Sequence, residues 1–137
     1  MFSLDADLIF RVPALLIALT VHEYAHARAA VAMGDDTPRQ LGRVTLNPLA
    51  HLDPVGLLML WLTQFGWAKL VPINPNRFHS YRSGMIRVSL AGPLSNAVMA
   101  LVAAIALGAC KVWGLGIPEV WKVLAWKRDY KIILAIF

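Results

Sequence analysis

The chain has 137 residues, of which 58% are hydrophobic and 15% charged, with a mean hydropathy of +0.60; soluble domains carry about a quarter charged residues, so the balance points to lipid as the solvent. Its 13 Lys and Arg against 8 Asp and Glu give a net charge of +5, but these charges fall between apolar runs, which argues against nucleic acid as a partner and for anionic lipid headgroups. One domain is the prior at this length, and the lone Cys110 has no partner for an internal disulfide.

In chain order, the first apolar stretch covers residues 8–33 and ends at Gly34-Asp35-Asp36, a helix stop. At about 26 residues it exceeds the roughly 20 needed to cross a bilayer. Asp5 and Asp7 stand where a signal peptide would have basic residues, so the stretch reads as a retained membrane helix. Residues 40–46, Q-L-G-R-V-T-L, alternate partly like a strand, and Asn47-Pro48 and Asp53-Pro54 punctuate the connection as turns. Residues 55–68 form a second apolar stretch of about 14 residues, which suits a re-entrant or interfacial segment.

Arg77, Arg82 and Arg87 then precede residues 88–110, which hold no charge and span a membrane by length; Gly92-Pro93 lies near the start of this stretch. The last stretch, 120–137, carries five charges and is apolar only at its end. The positive-inside rule gives contradictory answers for the loops and sets no orientation. The sequence thus predicts an all-α, multi-pass protein of the cell membrane. It has about three to four hydrophobic helices and a short strand-like or re-entrant segment around residues 40–70.

The chemistry is concentrated in His22-Glu23-Tyr24-Ala25-His26, an H-E-x-x-H within the first helix. At about 100° per residue the two histidines lie about 40° apart and one turn above each other. Two imidazoles so placed can reach one tetrahedral zinc, and Glu23 beside them can act as general base toward water. The bland reading is a helix with two packed histidines. It is costly here, because an ionised glutamate in an apolar helix costs about 2.5 kcal/mol or more without a partner. A catalytic zinc usually has a third protein ligand. Asp53, His51, His79, Asp129 and Glu119 are the residues available for it. Asp53 reads more naturally as a turn or cap residue, and His51 and His79 as interfacial polar groups.

Taken with its surroundings, this motif resembles the site-2 protease family of intramembrane zinc metalloproteases, in its smaller bacterial members. The resemblance runs from about residue 4 to about residue 110. It rests on H-E-Y-A-H-A at 22–27, G-R-V-T-L-N-P-L-A-H-L-D-P-V-G at 42–56, G-W-A-K-L-V-P-I-N-P at 66–75 and A-G-P-L-S-N at 91–96. Leu70 stands where the family pattern has proline.

The resemblance implies a zinc endopeptidase acting on membrane-embedded protein or peptide substrates. His22 and His26 would be zinc ligands, Glu23 the base, and Asn96 a residue that faces the site and holds substrate backbone. Read from the residues alone, an amide in a charge-free helix serves helix packing equally well. The family's third ligand is an aspartate in a later Leu-Asp-Gly stretch, and no Asp-Gly follows Gly92. The resemblance therefore implies one metalloprotease-like domain over 1–137 whose C-terminal part, with the last ligand, is missing. A catalytically inactive remnant, or a membrane module that binds or transports metal, is the alternative.

Overall fold

A computed structural model describes residues 6–63 and 67–112, which form four helices and two single 3₁₀ turns. Helix α1 (Ala6–Ala32) is the first apolar stretch. It ends as its sequence dictates: Gly34 takes φ 107°, its amide bonds to the Val31 carbonyl, and the Asp35 amide reaches back to Ala30 at 3.0 Å. That pair of bonds is a Schellman closure, and glycine fits it because the left-handed conformation carries no Cβ clash.

Residues 40–46 are not a strand, contrary to the alternation in their sequence. Pro38 opens a helical turn, α2 (Thr37–Gln40), and the Arg43 amide returns to the Pro38 carbonyl at 2.8 Å, with Gly42 at φ 66° between them. Proline's fixed φ and glycine's positive φ override a weak alternating pattern of seven residues. Among the described residues the β pairing is a single antiparallel bridge, Leu52 with Ala68. Helix α3 is described over Pro54–Thr63, ten residues within the second apolar stretch. Asp53 caps it, with Oδ1 accepting the amides of Val55 at 2.8 Å and Gly56 at 3.0 Å.

Helix α4 (Tyr81–Val112) packs along α1. Within the described residues Tyr81–Cys110 is the one helix long and apolar enough to cross a membrane. Leu90, Leu94, Val98, Leu101 and Ile105 recur at helical spacing and are each more than half exposed, so one face of α4 is an apolar wall turned outward. The inward side is small: Ala30, Phe78 and Val88 are buried together, with Met33 and Ile73 against them. The stretch 120–137 and the candidate ligands Glu119 and Asp129 lie outside the described residues.

Residues 67–80 form an extended strap laid along α1. It is pinned at four points: Lys69 amide to the His51 carbonyl (3.0 Å), Val71 amide to Glu23 Oε2 (3.2 Å), Asn74 amide to Asp35 Oδ2 (2.6 Å) and His79 amide to the Met33 carbonyl (2.9 Å). Two of these acceptors are side chains of α1 or its closing turn, and those two are acidic. The strap therefore fits only one register over the helix.

Candidate metal centre

His22, Glu23 and His26 lie on the face of α1 covered by α4 and the strap; His22 and Glu23 are each 3% exposed. The two imidazoles stand edge to face with Nε2 atoms 3.0 Å apart. Zinc bound tetrahedrally at 2.0–2.1 Å from each nitrogen would place them about 3.3 Å apart. The pair therefore fits a shared metal with an adjustment of a few tenths of an ångström. A plain imidazole–imidazole hydrogen bond also suits 3.0 Å, so the ring partners matter.

On His26 the far nitrogen is committed: Nδ1–H donates to the Val88 carbonyl of α4 at 2.7 Å, leaving the Nε2 lone pair free to ligate. On His22, Nδ1 faces the Asn96 side-chain amide of α4 at 3.0 Å. Asn96, which the resemblance implies faces the site, lies beside this ring. Glu23 Oε2 accepts the Val71 amide, and Arg43 is a charged neighbour of its carboxylate.

Gly92 is what lets α4 come this close. A Cβ there would sit 2.4 Å from Nε2 of His26 and 2.5 Å from Nε2 of His22, nearer than packed atoms come. The sequence marks Gly92-Pro93 only as a break in a helix. The close approach becomes legible once α1 and α4 are paired.

His22, Glu23 and His26 open into a cavity of about 390 Å³, walled mainly by Leu70, Val71, Ile73, Met85, Val88 and Pro93. The cavity brings two ring nitrogens and a carboxylate together against mostly apolar walls. The described residues contain no group of three metal-ligating side chains. Asp53 is the α3 cap. His51 is not interfacial but fully buried: Nε2–H donates to the Thr45 carbonyl at 2.9 Å, and Nδ1 has no hydrogen-bond partner. His79 is exposed beside Gly34.

Two buried polar residues were not singled out as functional in the sequence. Arg43 donates to the Ala50 carbonyl and holds the 47–51 turn. Asp35 is completely buried and binds the Thr37 amide (3.0 Å) as well as Asn74. In sequence Asp35 reads only as part of a helix stop. Its partner Asn74 is 39 residues away, a distance no local pattern spans.

A helical chain with an apolar outer wall, carrying a buried His-Glu-x-x-His against a second helix, is the architecture expected of a membrane metallopeptidase. Two relatives match the chain in sequence. Over 88 residues the chain is 44% identical to a Bacillus subtilis (strain 168) protein named "Putative zinc metalloprotease YwhC", covering 64% of this chain and 40% of that protein. Over 92 residues it is 35% identical to "Putative zinc metalloprotease Rip2" of Mycolicibacterium smegmatis (strain ATCC 700084 / mc(2)155), covering 64% of this chain and 35% of that protein. Over that 64% of its length the chain is homologous to these two proteins, both named "Putative zinc metalloprotease". It thus spans well under half the length of these relatives. No family model and no solved structure matches it.

Proposed function

We propose that the chain carries the His-Glu-x-x-His half of an intramembrane zinc endopeptidase, a multi-pass protein of the cell membrane that hydrolyses peptide bonds of membrane-embedded substrates. The supporting observation is the convergence of His22 and His26 Nε2 at 3.0 Å in an apolar-lined cavity beside Glu23. The metal would be held by His22 and His26, whose donor set and spacing suit zinc. When bound, zinc supplies Lewis acidity, polarising a peptide carbonyl and bringing the acidity of water near neutrality.

The chain's own residues supply the rest. The mostly apolar walls, among them Leu70, Val71, Ile73, Met85, Val88 and Pro93, take up an apolar peptide. Glu23 takes the proton of the attacking water on its carboxylate and returns it to the leaving amine nitrogen. The Val71 amide, bonded to Oε2, holds that carboxylate in orientation between the two transfers. The Val88 carbonyl fixes the ring of His26 through Nδ1.

Glu23→Gln is predicted to lower cleavage of a transmembrane peptide substrate by about 10²–10⁴-fold while leaving metal content unchanged. Hydrolysis by the variant at the wild-type rate would remove Glu23 from this role. The second reading, a non-catalytic metal-handling module, draws support from the donor count of two imidazoles among the described residues. That module would move zinc into vesicles and keep doing so as Glu23→Gln.

A further inference from the structure

The outward face of α4 begins with a charge. Arg87, Leu90, Leu94, Val98, Leu101 and Ile105 follow one another at steps of three or four residues, so they line one side of the helix. The five apolar members are each more than half exposed, and Arg87 is exposed with them. Val88 and Gly92, which meet α1, lie on the other side. Arg82, five residues before Arg87, stands about 140° round the helix from it and so off the stripe.

The length of this line matches a bilayer. At about 1.5 Å per residue, Arg87 to Ile105 measures about 27 Å, close to the roughly 30 Å of a hydrocarbon core. With the stripe in that core, the Arg87 guanidinium stands at its rim, where lipid phosphates lie. A cation at the edge of hydrocarbon needs an anion. Among the described residues none is supplied: their one ion pair joins Arg39 to Asp36, and the first turn of α4 carries no acidic side chain. A guanidinium also suits phosphate in shape, since its planar fork makes two parallel N–H···O bonds.

We propose that this stripe holds one anionic phospholipid, with Arg87 on the headgroup phosphate and an acyl chain along Leu90, Leu94, Val98 and Leu101. The proposal rests on the reading of α4 as a membrane-crossing helix. A headgroup of net negative charge is preferred because the choline of a zwitterionic lipid competes with Arg87 for the phosphate.

The test is native mass spectrometry of the full chain, purified in detergent and titrated with palmitoyl-oleoyl phosphatidylglycerol or with phosphatidylcholine of the same chains. Wild type is expected to retain the phosphatidylglycerol about fivefold more tightly, and Arg87→Gln to lose that preference. Arg82→Gln removes the same charge away from the stripe, and its preference is expected to stay within about twofold of wild type. Arg87 is exposed, so its substitution leaves the packing against α1 unchanged.

Equal retention of the two lipids by wild type overturns the proposal. An equal loss of preference in Arg87→Gln and Arg82→Gln also overturns it, marking diffuse attraction by the basic residues. Displacement of the lipid by glycerol 3-phosphate alone would mark a phosphate site without a chain, and dimers in place of lipid-bound monomers would put a second copy on the stripe; either result overturns it too. A wild type that stays in solution without detergent defeats the membrane reading and this proposal together. Parity of the two lipids on detergent-purified protein defeats this proposal alone.

Discussion

Between Gly92 and the two imidazoles there is no space for even a methyl group, and that contact sets how α1 and α4 meet. Gly92→Ala is predicted to push α4 off the histidines. The overpacking should cost about 1–3 kcal/mol, read as a lower melting temperature in detergent, and should weaken zinc retention with it. Gly108 on the same helix has nothing within 4 Å of the corresponding position, so Gly108→Ala serves as a control expected to change neither. Equal behaviour of the two variants would contradict the close approach. At this scale the sequence was legible where chemistry follows helical period: His22, Glu23 and His26 are fixed on one face by their spacing alone. Their partners, the Val88 carbonyl, the Val71 amide and Asn96, lie 62, 48 and 74 residues from the groups they contact. Such pairings come from packing between elements, which periodicity does not encode.

Asp35 ties the strap to the end of α1 through the Asn74 amide. Burial alone would push this carboxyl upward. The Thr37 hydroxyl, the Asn74 and Thr37 amides and the Arg77 charge more than offset that, and hold it below the usual carboxylate range. A depressed folded pKa means a stabilising contribution that is complete above the unfolded value of about 3.9 and is lost as pH falls through the lower folded value. Asp35→Asn is therefore predicted to cost about 1–3 kcal/mol at pH 7 and to flatten the acid limb of the stability curve, followed by thermal unfolding from pH 7 downward. An unchanged melting temperature and acid limb would refute this role.

Residues 40–46 are the counterpart at the scale of elements. Their alternation suggested a strand, but Pro38 and Gly42 set local φ values that build a turn instead. The α3 cap by Asp53 was readable, because Asx before proline is a local signal that needs no distant partner.

At the scale of the whole molecule, the apolar composition and the outward wall of α4, the one described helix long and apolar enough to cross a membrane, agree, while His22 and Glu23 of α1 are buried against α4 and the strap. The Schellman closure at Gly34, the Asp53 cap and the H-E-x-x-H spacing are local, and the sequence contained them. The antiparallel meeting of α1 and α4 that builds the cavity is not local.

The account's central claim is that His22 and His26 share one metal ion inside this fold. Zinc content of the purified protein, measured by elemental analysis against chain concentration, tests it most directly. Wild type and Glu23→Gln should each retain about one zinc per chain after reconstitution and desalting, and His22→Ala and His26→Ala almost none. As much zinc in His22→Ala as in wild type would contradict it.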